Sequence, residues 1–223
     1  MGKRLIILFD LDGTLIDSTD SIVDTFHHSF DVQNVTHPSD KEIISLIGYP
    51  LDVMYKELGV SEDKVWDFVA TYKEQYRKIY IEKTTLLTNA KESVIKASEF
   101  ATLGIVTTKT AKYSRVLMEH LELMQYFDVL IGREDVEFPK PDAQPIFKAL
   151  EALAIEDKDV WMIGDTKLDL IAANNAKVNS IGVLSGYDGH DVLSKYTNIV
   201  CNDSLEAISY LNDVINIPTF NYS

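Results

Sequence analysis

Near its start the chain carries an unbroken apolar run, Leu5-Ile6-Ile7-Leu8-Phe9, that stops at Asp10-Leu11-Asp12-Gly13-Thr14. A run of this length ended by a glycine turn predicts a strand buried on both faces, the kind found in parallel sheets covered by helices. The pattern returns at Leu103-Gly104-Ile105-Val106, Val129-Leu130-Ile131, Val160-Trp161-Met162-Ile163, Ser180-Ile181-Gly182-Val183-Leu184 and the short Ile199-Val200. Stretches with apolar residues at helical spacing lie between these runs, at 92–97, 111–121 and through Phe147, Leu150 and Leu153. Strands alternating with helices predict an α/β fold with a parallel sheet between two helical layers.

One block breaks the alternation. Ile22, Val23, Phe26 and Phe30 fall at helical spacing after Ser18, and from Pro38 to about Lys83 the pattern stays helical with no strand-like alternation. That is too long for an ordinary crossover, so residues 18–84 are expected to form an inserted α-helical domain on a core of 1–17 and 85–223. Within it Gly48-Tyr49-Pro50 marks a loop. The tyrosine-rich segment from Trp66 to Lys83 reads as a solvated amphipathic helix. His27 and His28 are adjacent on a helix and face different ways, so the two form no metal-binding face and read as surface or packing residues. Asp203 with Glu206 has the form of a helix start. The tail from Asn216 to Ser223 shows no periodicity.

Charge narrows the function classes. In 223 residues, Lys plus Arg number 21 against 35 for Asp plus Glu, a net charge of −14. An acidic chain lacks the basic footprint that nucleic acid requires. It still admits a small phosphorylated metabolite, because a metal and a few local cations can hold an anion within a negative field. No apolar segment has the length to span a membrane. The first apolar run ends at Asp10 with no small-residue cleavage site, which favours a core strand over a secretory signal. The single cysteine, Cys201, permits no intramolecular disulfide and fits a reducing cytoplasm. A monomer or a homodimer is expected.

The candidate chemistry sits at strand ends. Side chains alternate along a strand, so Asp10 and Asp12 point one way and Leu11 the other. Two carboxylates held together repel unless a cation or a shared proton intervenes, which invites a hard divalent ion such as Mg²⁺. Gly13 lets the chain turn sharply and present backbone N–H groups to an anion. Thr107-Thr108-Lys109 ends the second buried run, and hydroxyls there can donate to phosphate oxygens. A proline-fixed loop, Phe138-Pro139-Lys140-Pro141-Asp142, presents one lysine, and Gly164-Asp165 through Asp169 supplies another acidic pair. Taken singly, Thr107 reads equally as a helix cap and Lys140 as a solvated lysine. Together they offer what phosphoryl transfer requires, a nucleophile and positive charge or donors around the equatorial oxygens.

Asp10-Leu11-Asp12-Gly13-Thr14 resembles the first motif of the haloacid dehalogenase superfamily, and Thr107, Lys140 and Gly164-Asp165 to Asp169 resemble its later three in order. The resemblance covers nearly the whole chain and implies a Rossmann-like core with a helical cap. It implies a Mg²⁺-dependent phosphatase in which Asp10 is the nucleophile that becomes an aspartyl phosphate and Asp12 the general acid/base. Leu11, Gly13, Thr107, Thr108 and Lys140 would hold the phosphate. Asp10, the Asp12 carbonyl and Asp165 would hold the metal, with Asp169 supporting them or binding Lys140. The insertion is similar to the cap of the phosphoglycolate phosphatase branch, whose specificity loop Gly48-Tyr49-Pro50 resembles. Ile105 to Lys109 is similar instead to the inorganic pyrophosphatase branch, and Lys177 stands where a helix-ending glycine is usual. A phosphoglycolate-like phosphomonoester is the expected substrate, with pyrophosphate hydrolysis or phosphoryl transfer to an acceptor as alternatives. A phospho-ligand-binding protein without turnover is the reading from a different class.

Overall fold

The structure is a computed structural model that describes residues 4–155 and 158–215. β1 (Arg4–Phe9) leads into a short strand, β2 (Ile16–Asp17), which pairs antiparallel with β3 (Thr85–Leu86). The remaining strands are β4 (Ala101–Val106), β5 (Val129–Ile131), β6 (Lys158–Gly164), β7 (Asn179–Val183) and β8 (Val200–Cys201). Six of them form one parallel sheet in the order β5-β4-β1-β6-β7-β8. β1 lies between β4 and β6, which explains its unbroken apolar run. Leu5, Ile7 and Phe9 enter one hydrophobic core while Ile6 and Leu8 enter another on the opposite face.

Helices cover both faces. α5 (Ala90–Ser98), α6 (Ala111–His120) and α10 (Ser204–Ile215), the last preceded by the one-turn α9 (His190–Leu193), carry Val94, Leu117 and Ile208 into the first core. α7 (Gln144–Leu153) and α8 (Lys167–Ala176) set Ile146, Ala149, Ala172 and Ala173 against the second. Alanines on α8 let that helix lie close to the sheet. α8 ends at Lys177, which takes the left-handed conformation itself (φ 56°) where a glycine would be unstrained. At the start of α10, Asp203 accepts from the Glu206 N–H as expected, but Glu206 reaches back to the N–H of Asn202 rather than that of Asp203. Residues 216–223 lie outside the described residues.

Between β2 and β3 run α1 (Thr19–Val32), α2 (Asp40–Ile44), α3 (Leu51–Glu57) and α4 (Val65–Ile79). The two-stranded ribbon is thus the stem through which the chain leaves and re-enters the α/β core. α2 is short and opens with a capping box: the Glu42 N–H donates to Ser39 Oγ (3.3 Å) and the Ser39 N–H to Glu42 Oε2 (2.8 Å). Such a cap contributes about 1 kcal/mol, which matters for a helix of one turn.

The insertion is packed around rings. Phe26, Phe30, Tyr55, Phe68 and Tyr72 interleave with centroids 4.6–6.5 Å apart, and the fully buried Tyr55 hydroxyl meets Ser29 Oγ at 2.7 Å. α4 departs from expectation. Its tyrosines are not a solvated face: Tyr72 stacks on Tyr76 (5.5 Å) and Tyr76 on Tyr80 (5.3 Å), all three buried, while Trp66 is the exposed ring. Their rings supply apolar area that the helix's polar composition concealed.

Candidate active site

The carboxyl ends of β1, β4 and β6 meet in the middle of the sheet, where open α/β sheets bind ligands. Asp10 follows β1 and donates its N–H to the Ile163 carbonyl, which fixes its side chain at the sheet edge. Asp165 follows β6, and Asp169 lies in the first turn of α8. One carboxylate oxygen from each of these three buried residues lies within 4.8 Å of the others.

Asp165 is gripped from three directions. Thr14 Oγ1 donates to its Oδ1 (2.8 Å) and the Tyr187 N–H to its Oδ2 (3.0 Å). Gly13 and Gly186 close on the same carboxylate, and a Cβ at either would sit 2.2 or 2.0 Å from Asp165 Oδ2. Gly13, with φ of +84°, is also the turn that redirects the chain. Its N–H, expected to face an anion, donates instead to the Ile16 carbonyl (2.8 Å) and so closes that turn.

Lys140 is the cation at this centre. Its Nζ lies 2.5 Å from Asp169 Oδ1 and 2.9 Å from Asp10 Oδ1, and it donates to the Val106 carbonyl (2.9 Å). Asp10 Oδ1 is thus paired with the Lys140 ammonium, its one charged neighbour within ion-pair distance among the described residues. Asp169 is saturated by Lys140 together with the N–H and Oγ1 of Thr166 (3.0 and 2.7 Å). Burial pushes the Asp10 carboxyl up to about 7, with Asp169 and Asp12 adding to the rise and Lys140 opposing it. Burial likewise holds Asp165 well above the ordinary carboxyl range, helped by Asp169 and Asp10. Lys140 loses from burial, but Asp10 and Asp169 more than offset it and keep its ammonium above the ordinary lysine range. Three buried carboxyl groups set against one lysine offer an all-oxygen donor set, which suits a hard cation that would draw them into their ionised form.

Asp12 faces away from this centre. It accepts from Ser18 Oγ and pairs with Lys109 Nζ (3.0 Å), and both side chains are nearly buried. Lys109 Nζ also lies 5.0 Å from the centre of the Tyr76 ring. Burial opposes its charge, yet Asp12 and Tyr76 hold it above the ordinary lysine range. Asp12, Lys109, Tyr72, Tyr76, Gly48 and Tyr49 are among the walls of a cavity of about 70 Å³ roofed by the inserted helices. The Tyr76 hydroxyl is buried without a hydrogen-bond partner among the described residues.

The other expected residues divide. The Thr107 hydroxyl accepts from the Lys109 N–H (3.1 Å), which leaves its proton free to donate. Thr108 gives its proton to the Gly48 carbonyl (2.9 Å), so it ties the core to the insertion. Gly48 (φ +107°) and Tyr49 line the small cavity, whereas Pro50 faces an open groove against Phe138 to Asp142. Ser18 gives its hydroxyl to Asp12, and Asp17 accepts the Thr19 N–H at the start of α1.

Residues 7–183 match the haloacid dehalogenase-like hydrolase family. The chain belongs to that family. A pyrophosphatase PpaX of Halalkalibacterium halodurans is 31% identical over 191 residues, which span 85% of this chain and 88% of that protein. Among solved structures, a haloacid dehalogenase-like hydrolase of Streptococcus pneumoniae superposes with a TM-score of 0.84 at 27% identity, over 95% of this chain and 100% of that one. A protein of Haemophilus somnus described as a predicted phosphoglycolate phosphatase has the same fold, with a TM-score of 0.84 at 20% identity over 95% and 99% of the two chains.

For a haloacid dehalogenase-like hydrolase, the residues missed at the level of sequence are as informative as those found. Thr14, the last residue of the first motif, donates to Asp165, and Ser18, just beyond it, donates to Asp12, but a hydroxyl in a turn reads first as a turn former. Tyr72 and Tyr76 reach the cavity only because α4 packs over the sheet edge. No local pattern marks them. Among the described residues no helix is long and apolar enough to cross a membrane.

Proposed function

We propose that this hydrolase is a Mg²⁺-dependent phosphatase of small substrates that carry a second anionic group beside the scissile phosphate, with pyrophosphate foremost. The observation that carries this reading is Lys109, a nearly buried cation on the wall of the small cavity, 3.0 Å from Asp12. A lysine there matches a leaving group that is charged. The cavity, at about 70 Å³, is small and suits a compact leaving group better than a bulky one. The pyrophosphatases among the relatives support the same choice.

In this reading Asp10, Asp165 and the Asp12 backbone carbonyl would hold Mg²⁺, which supplies charge neutralisation for the transferring phosphoryl group. Asp10 attacks phosphorus, and the bond to the leaving oxygen breaks with its electron pair going to that oxygen. Lys140 holds Asp10 in place and compensates charge on the equatorial oxygens. The Thr107 hydroxyl and the Leu11 N–H donate to those oxygens. Lys109 receives the departing phosphate. Asp12 then takes a proton from water as the water oxygen bonds to phosphorus, the bond to Asp10 breaks and its carboxylate returns. Ser18, which donates to it, and Lys109, which pairs with it, hold the Asp12 carboxylate in place for this step. A phosphate leaving group needs protonation less than an alkoxide does, which again favours pyrophosphate. Residues 18–84 act as the cap that excludes water, with Gly48 and Tyr49 at the substrate.

Phosphoglycolate is the second substrate on this reading, because its carboxylate meets the same lysine. Initial rates with pyrophosphate, phosphoglycolate, glucose 6-phosphate and AMP, with and without Mg²⁺, test the proposal. The expected order is pyrophosphate, then phosphoglycolate, with the two larger esters far behind. Preference for the sugar phosphate or the nucleotide, or turnover independent of Mg²⁺, would refute it.

A further inference from the structure

Far from the carboxylate centre, two histidines of the insertion meet. His27 on α1 and His37 in the α1–α2 connection bring their Nδ1 atoms to 3.1 Å. Each ring's other nitrogen is held by a carboxylate: His27 Nε2 meets Asp40 Oδ1 at 2.7 Å and His37 Nε2 meets Asp31 Oδ1 at 2.8 Å. A carboxylate accepts, so both Nε2 atoms carry hydrogens. In neutral imidazoles the two Nδ1 atoms then present lone pairs to each other at contact distance. Two lone pairs so placed repel, and something electron-poor belongs between them.

We propose that His27 and His37 form a binding site for a borderline divalent transition ion such as Zn²⁺, coordinated by the two Nδ1 atoms. A metal bonded to each nitrogen at about 2.0–2.1 Å sets them roughly 2.9–3.4 Å apart for angles between octahedral and tetrahedral. The observed 3.1 Å falls inside that range. Imidazole suits Zn²⁺, Cu²⁺ and Ni²⁺, and metal-bound histidines characteristically donate their other N–H to a carboxylate, as both do here. His27 is 25% and His37 40% exposed at the side chain, so water can complete the coordination shell. The ligands and their carboxylates come crosswise from α1, the connection and the first residue of α2. A bound ion therefore clamps the connection that orients the start of the insertion. The site is separate from the proposed Mg²⁺ centre in both place and donor chemistry.

Calorimetric titration of the whole protein with Zn²⁺ in excess Mg²⁺ tests this, since Mg²⁺ fills an oxygen-donor centre and competes poorly for imidazole. One equivalent of Zn²⁺ is expected to bind. His27→Ala and His37→Ala each weaken it at least tenfold, and Asp31→Asn together with Asp40→Asn weakens it about tenfold. Cu²⁺ in the same protein should show electron paramagnetic coupling to two nitrogens in the wild type and to no more than one in either single variant. Circular dichroism confirms the fold of each variant. Absence of Zn²⁺ binding in the wild type, which would mean that the pair shares only a proton, overturns the proposal. So does binding that His37→Ala leaves unchanged.

Discussion

Two lysines, Lys140 buried and Lys109 nearly so, serve the aspartates that leave β1, and they are built in different ways. Lys140 is tied to Asp10, Asp169 and the Val106 carbonyl, from the sheet edge and the first turn of α8. Lys109 comes from the sheet edge too, but its second neighbour, Tyr76, belongs to the insertion. One cation is therefore set by the core alone, while the other completes its surroundings only when the inserted helices are closed over the sheet. The division matches the proposed chemistry, in which the transferring phosphoryl group is the same for every substrate and the leaving group is what distinguishes them.

The largest effect expected from breaking this arrangement is at Lys140. Lys140→Met leaves Asp10 and Asp169 buried without their cation, at a cost of about 3–5 kcal/mol, and abolishes turnover. Thermal unfolding and initial rates measure both. A variant that melts with the wild type would contradict the role of Lys140 in holding the core half together.

Next comes the carboxylate centre itself. Asp10 is raised to about 7 in the fold from an ordinary value of 3.8, and Asp165 is raised as well. For a carboxyl raised on folding, the folded state keeps its proton where the unfolded state has lost it. The stability this gives is complete below the unfolded value and is lost as pH rises through the folded one. Without metal, the melting temperature should therefore fall between about pH 4 and pH 7. Mg²⁺ should raise it more at pH 8 than at pH 5, because binding requires the ionised carboxylates. Asp10→Asn should flatten the slope and end turnover. A metal-free melting temperature that rises over this window would contradict the burial of these groups.

A smaller effect is expected at the insertion's edge of the cavity. Tyr76→Phe removes one neutral donor, a loss of about 1 kcal/mol that should raise KM for pyrophosphate about fivefold with kcat little changed. Unchanged KM would place the hydroxyl outside the substrate's reach. The smallest effect lies outside the site: Lys177→Gly relieves the left-handed residue that ends α8 and should stabilise by about 0.5 kcal/mol, since the strain removed slightly exceeds the chain entropy added.

The same division explains what could be read from the chain. Asp10, Asp12, Thr107, Lys140 and Asp165 each stand at or near the end of an apolar run or in a proline-fixed loop. Their chemistry is thus marked by a few adjacent residues and by the strand that precedes them. The parallel sheet was legible for the same reason, since Leu5 to Phe9 must be apolar at every position to face two cores. Tyr72 and Tyr76 carry no such mark. A tyrosine is amphipathic, so its place at a surface or in a core depends on what packs against it. The Gly13 turn was legible but its amide was not, because the carbonyl that takes it, that of Ile16, is defined only once the turn has closed. His27, like His28, reads as a surface or packing residue until His37 folds back onto it across a connection with no regular pattern.

The central claim, that Lys140 serves the transferring phosphoryl group and Lys109 the leaving group, is tested most directly by one ratio. It compares kcat/KM for pyrophosphate with that for acetyl phosphate, whose leaving half carries no charge before the bond breaks, in the wild type and in Lys109→Met. Loss of a charge-assisted contact worth about 1.5–3 kcal/mol predicts that the ratio falls about 10- to 100-fold in the variant. A ratio that stays at the wild-type value while both activities fall together would contradict the assignment.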